Sequence, residues 1–292
     1  MPETFVDLGF VTAPSGVVVL GMATWIDYWR ELGDPLPVRA AAAAKTGGGH
    51  LRDEECEAVA VPAAADRPLA VRATTEPSAF DEEPTIATLE IALGLPWPEG
   101  AEGPVLLGDL PVDRSGMMVG DAVGLDAWTS LDDEPADGLA DLSYWGRYEQ
   151  EAHERFGGER MRSYEGDGGR YGWLDLPVAE AVALEAEIGA WRGGLPGRGV
   201  ATMVEKHVDY FTFRRAGLHH PLHVGAIEVG GCQVLGIDWC QGDHAVRHHG
   251  GRDWGQAFPV TLEADGAGGT VLRWTIPPYG EDEDEDEDEG DA

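Results

Sequence analysis

The stretch 236–259, GIDWCQGDHAVRHHGGRDWGQAFP, gathers the most reactive side chains of this 292-residue chain. Asp238 and Asp243 supply carboxylates, while His244, His248 and His249 supply imidazoles. Arg247 and Arg252 supply fork-shaped donors, and Trp254 a flat ring. A long polar loop with that mixture, set between two apolar runs, suits the holding of a ligand or partner. Asp243 and His244 are adjacent, and neighbours on an extended chain point to opposite faces, which makes them a poor general-base pair. Neither Ser15 nor Ser115 sits in the G-x-S-x-G elbow that would present a nucleophile. A binding role for Asp238, Asp243, His244, Arg247, His248, Arg252 and Trp254 is therefore expected ahead of catalysis. The alternative is a small-molecule or metal-assisted hydrolase centred on Asp238, Asp243, His244 and His248.

Seven of the nine histidines lie between His207 and His249, in the same window as Cys232 and Cys240. Structural zinc sites prefer cysteine pairs two to four residues apart followed by a second close pair, and Cys232 and Cys240 are eight apart. Neither HHPLH at 219–223 nor HAVRHH at 244–249 has the HExxH spacing that places two imidazoles on one helix face. No metal is expected. The glycine clusters at 47–49 and 193–197 lack the lysine, hydroxyl and following helix of a phosphate cradle, so no cofactor is expected either.

Charge excludes some partners. The chain has 54 acidic and 20 basic residues, and only Lys45 and Lys206 are lysines. Ten acids fall in the last twelve positions, EDEDEDEDEGDA, which leaves 44 acidic and 20 basic residues in the rest. Such a surface repels phosphate backbones, so nucleic acid is excluded, whereas a basic protein partner would be drawn to it. The acid run, 281–292, reads as a solvated, disordered tail. No apolar run approaches the roughly 20 residues of a membrane-spanning helix. The start MPETFVDLGF lacks a secretory pattern, and three cysteines are an odd number, so a cytoplasmic protein is expected.

The elements that must carry these side chains show an internal repeat. Residues 8–29, LGFVTAPSGVVVLGMATWIDYW, align with 107–128, LGDLPVDRSGMMVGDAVGLDAW, matching Gly9 with Gly108, Ser15-Gly16 with Ser115-Gly116, Asp27 with Asp126 and Trp29 with Trp128. A looser third copy, 224–239, turns at Gly230-Gly231. Each is two β-prone runs about a glycine turn, which predicts three hairpins. Strands are also expected at 36–44, 56–61, 69–74, 85–93, 200–206, 208–215, 258–264 and 270–276. Helices are expected at 139–156, where Leu142, Trp145, Tyr148 and Ala152 have helical spacing, and at 178–191. The fold class is α+β, β-rich with repeated glycine-turned hairpins and a central two-helix segment. The expected domains are 1–130, 138–280 and the tail 281–292, divided at the Asp-, Glu- and Pro-rich stretch 131–137.

The second copy also resembles a group of poorly characterised bacterial domains with a G-x-V-x-V-D-S-G hairpin followed by aspartate, some of which look like immunity or accessory proteins of toxin systems. The matching residues are Gly108, Val112, Asp113, Ser115, Gly116 and Asp121, with Arg114 inserted before Ser115. The first copy keeps Gly9, Ser15 and Gly16 but has Pro14 in place of the aspartate. The resemblance implies no catalytic residues. With the charge, it implies a non-enzymatic, immunity-like interaction protein that binds a protein partner through an acidic surface. A structural or assembly component is a further alternative.

Overall fold

The computed structural model describes residues 5–23, 26, 35–53, 56–77, 84–111, 116–157, 162–163, 171–194, 200–217, 220–237 and 257–276. The chain forms two compact units, one comprising residues 1–128 and 216–292, the other 129–215. The junction at Thr129 lies beside the acid- and proline-rich stretch, and the strands after residue 216 return to the first unit.

The first unit holds two six-stranded antiparallel sheets. In chain order its elements are β1 (Phe5–Val11), β2 (Val17–Met22), α1 (Leu36–Ala44), β3 (Gly49–Asp53), β4 (Cys56–Pro62), β5 (Leu69–Pro77), β6 (Pro84–Pro96), β7 (Val105–Pro111), β8 (Met117–Asp121) and α2 (Ala122–Asp126). After the second unit come β13 (Val224–Val229), β14 (Cys232–Ile237), β15 (Ala257–Ala264) and β16 (Gly269–Thr275). One sheet has the order β1-β5-β6-β16-β15-β7, the other β13-β14-β8-β2-β4-β3. Both orders are symmetric. If β1, β2, α1 and β3 to β6 correspond to β7, β8, α2 and β13 to β16, each sheet reads the same from either edge, with β2 beside β8 and β6 beside β16 at the centre. The glycines agree. Gly9 and Gly108 have φ of 113° and 150°, each next to a register shift in its strand, and Gly16 and Gly116 have φ of 77° and 90°. The chain is a duplicated β-β-α-β-β-β-β unit with residues 129–215 inserted into its second half.

The repeat is real in topology, but its first two copies are not hairpins. β1 pairs with β5, and β2 pairs with β4 and β8, so the turn at Gly16 carries the chain from one sheet to the other. β7 and β8 likewise belong to separate sheets, β7 beside β15 and β8 beside β14 and β2. Only the third copy, β13 to β14, pairs with itself across Gly230-Gly231. The run 36–44 is helix rather than strand: LPVRAAAAA places proline in the first turn, where its missing N–H costs nothing, and then five alanines, the best helix formers.

Alternation along the strands builds the core. In the first sheet Val71, Ile91, Leu272 and Leu262 lie in register and buried, as do Ala73, Leu89, Trp274 and Val260 two residues on. The row between them turns to the other face and is polar, with Arg72, Glu90, Arg273 and Thr261 side by side. There the buried Glu90 carboxylate accepts from Arg72 Nε at 2.7 Å and is also bonded by Arg273, which satisfies a charge that would otherwise be costly to desolvate.

The second unit has one four-stranded sheet, β10-β11-β9-β12. Its elements are β9 (Leu139–Trp145), α3 (Glu149–Ala152) running into a π turn (His153–Gly157), β10 (Arg162–Ser163), β11 (Tyr171–Pro177), α4 (Val178–Arg192), β12 (Ala201–Lys206) and α5 (Asp209–Gly217), whose last two residues belong to the first unit. The helix expected over 139–156 is a strand for its first seven residues. Ala140, Leu142 and Tyr144 go to one face and Asp141 and Ser143 to the other, and this period of two outweighs the helical spacing of Leu142, Trp145 and Tyr148. The strand expected at 208–215 is helix α5, started by Asp209 and ended by Arg214 and Arg215 in the sense that favours a helix dipole. The expected helix at 178–191 is α4. It covers the sheet with Ala181 and Ile188, which join Ala140, Leu142, Tyr144 and Trp173 in one core.

Candidate functional site

All seven residues expected to bind, Asp238, Asp243, His244, Arg247, His248, Arg252 and Trp254, lie outside the described residues. The polar cluster that the structure does assemble is elsewhere, in the second unit, around His207.

Three strand ends build it. Asp141 sits in the middle of the sheet on β9, almost fully buried, on the face opposite the hydrophobic core. Beside it β11 is bulged: Trp173 pairs with Leu142 and Leu176 with Ala140, so Leu174 and Asp175 together face Asp141. The bulge puts Asp175 at φ 54° and directs its backbone N–H to Asp141 Oδ1 at 2.9 Å. His207 is the first residue after β12, held level with the start of β9 by its N–H bond to the Leu139 carbonyl. Asp137 precedes β9, and its Oδ1 accepts the Leu139 N–H at 2.9 Å.

The imidazole is held at both nitrogens. Nδ1 lies 2.9 Å from Asp137 Oδ2, and Nε2 lies 3.0 Å from Asp141 Oδ1 and 3.9 Å from Asp175 Oδ1. Arg215, in the last turn of α5, donates to the other oxygen of Asp141 at 2.6 Å. Burial pulls the His207 pKa down, but the hydrogen bonds to Asp141 and Asp137 and the Asp141 charge outweigh it, so the imidazole titrates above its ordinary value. Asp137 is held below the usual carboxylate range, first by the Leu139 N–H and then by His207. One ligand atom each from Asp141, Asp175 and His207 lie within 4.8 Å of one another, so among the described residues these three are placed to share a metal ion. Among the described residues no serine stands in line to be activated by His207: Ser143 is two residues beyond Asp141 on β9, while His207 is level with Leu139.

Sequence reasoning passed over this cluster because its members come from residues 137, 141, 175, 207 and 215. The available local signal was two aspartates four apart around the start of a strand, D-G-L-A-D, an arrangement common on solvated turns.

The same unit has an open cleft of about 470 Å³ lined by Tyr148, Glu151, Glu154, Arg155 and Trp191. Phe156 backs it, edge-on to Trp191 with centroids 5.6 Å apart, and Arg155 lies over the Phe156 ring at 5.6 Å. Elsewhere, Cys232 is a buried free thiol whose pKa is pushed up by burial and by the Asp121 and Glu228 charges, which keeps it protonated and unreactive. Asp121, the aspartate that closes the motif resembling immunity and accessory proteins, is structural here. Its Oδ1 accepts the N–H groups of Val123 and Gly124 at the start of α2, and its Oδ2 accepts the Ser15 N–H of the first repeat at 2.8 Å.

Among the described residues, no helix is long and apolar enough to cross a membrane. No family model matches the chain, and neither does any curated protein or solved structure.

Proposed function

We propose that this chain is a non-enzymatic interaction protein that holds a basic protein partner, with the cleft of the second unit taking a lysine or arginine side chain. The cleft carries the reading. Tyr148 and Trp191 line it with the Glu151 and Glu154 carboxylates, a combination that attracts an alkylammonium or guanidinium group, while the two arginines at hand lie over rings, Arg147 over Tyr148 and Arg155 over Phe156. The excess of 54 acidic over 20 basic residues surrounds that cleft with a field that speeds the approach of a basic partner. The resemblance of the 108–121 segment to immunity and accessory proteins agrees with a role in neutralising another protein.

Affinity capture from native lysate at low and high salt tests this reading. The expected result is a captured protein of positive net charge whose binding weakens by about tenfold or more between 0.05 and 0.5 M salt. Glu151→Gln/Glu154→Gln, which changes charge and little else, weakens it further at low salt. A salt-insensitive partner, or none, overturns the reading.

A further inference from the structure

We propose that Asp141, Asp175 and His207 form a binding site for one divalent transition-metal ion, with zinc the best match. Around zinc, nitrogen and oxygen ligands at roughly 2.0–2.2 Å in a tetrahedron lie about 3.3–3.5 Å from one another. His207 Nε2 is 3.0 Å from Asp141 Oδ1 and 3.9 Å from Asp175 Oδ1, so the ligand atoms bracket that spacing. The orientation is also set. Asp137 at Nδ1 holds the ring with Nε2 directed at the two carboxylates, the arrangement by which an outer carboxylate tunes a metal-bound imidazole. Arg215 donates to Asp141 Oδ2 and the Asp175 N–H donates to Oδ1, so the carboxylate that would meet the ion is held at both oxygens.

Negative charge predominates at the site: Asp137, Asp141 and Asp175 lie around the imidazole and the buried Glu205 is directly opposite Asp141 on β12, while Arg215 is bonded to Asp141. Lys206 does not balance it, since its ammonium lies 3.5 Å from Glu134 and donates to the Asp133 carbonyl. One imidazole and two carboxylates suit zinc and its neighbours better than calcium or magnesium, which take six or more oxygens or retain their water shell. Asp175, with a side chain 62% exposed, leaves the ion a way in. This inference does not rest on the partner reading.

The test is zinc titration into chelator-stripped full-length protein, followed by calorimetry, with cobalt absorption to report the ligand field. One equivalent is expected to bind, and Asp175→Asn to weaken that binding by about tenfold or more. Asparagine tolerates the positive φ of that position, so the apo variant keeps the wild-type circular dichroism and melting temperature. His248→Ala/His249→Ala retains the binding. Affinity in the wild type weaker than about 0.1 mM overturns the proposal. So does binding that survives Asp175→Asn but is lost in the double histidine variant.

Discussion

Replacing Asp121 by alanine tests the physical account of the duplicated scaffold at its most connected point. The carboxylate is completely buried and accepts three backbone N–H groups, those of Ser15, Val123 and Gly124. An unsatisfied buried donor costs about 1–3 kcal/mol, and losing a helix N-cap about 0.5–2 kcal/mol. The Gly124 N–H is buried and bears the full cost, whereas the other two are partly reached by water, so the sum for Asp121→Ala is about 3–5 kcal/mol. Asp121→Asn keeps the shape but turns an NH₂ toward one of the donors, and it should cost about half as much. Urea unfolding followed by tryptophan fluorescence measures both, because Trp128 is buried just beyond α2. With a slope of about 3 kcal/mol per molar urea, the alanine midpoint falls by about 1–1.7 M. A loss under about 1 kcal/mol in Asp121→Ala, or equal losses in the two variants, would refute the reasoning.

Acid should weaken the first unit through His220, whose Nδ1 accepts the Leu222 N–H at 3.1 Å and must be unprotonated to do so. Burial, and then the His223 charge, depress its pKa, so its contribution is present above the unfolded value of about 6.5 and lost as pH falls below it. Melting temperatures between pH 7.5 and 5 should drop more in the wild type than in His220→Gln; parallel curves would exclude His220 as the cause. Gly108→Ala should cost about 2 kcal/mol, because Gly108 has φ 150° and a Cβ there would come 2.9 Å from the His50 ring. At Gly103, with φ 76° and open space, the same change should cost only about 1 kcal/mol, and equal midpoints for the two variants in denaturant unfolding would contradict this account.

The sequence carried the duplication plainly, because the glycines at 9 and 108 and at 16 and 116 are demanded by backbone angles that other residues resist. It did not carry the pairing. Two apolar runs about a glycine turn look alike whether the runs pair with each other, as β13 and β14 do, or enter separate sheets, as β1 and β2 do; the choice depends on strands distant in sequence. Val208 to Arg215 alternates like a strand, yet it is helical, with the Thr129 hydroxyl accepting the Asp209 N–H at its start, a partner invisible to local pattern. The β-rich α+β class survived these errors, since either pairing yields antiparallel sheets. The His207 cluster was the least legible feature. A site assembled from three strand ends, a bulge and a helix terminus leaves no spacing to read, whereas the histidines at 244–249 drew attention by sequence proximity alone.

The symmetric strand orders mean that the first unit is, in effect, a dimer on one chain. The link from Trp97 to Pro104 joins two halves whose mutual contacts, β2 against β8 and β6 against β16, are the kind that hold separate subunits together. Only the second half was interrupted, between its helix and its next strand. The matching position of the first half is the short turn from Lys45 to Gly48, the place in the repeat at which that half has remained uninterrupted.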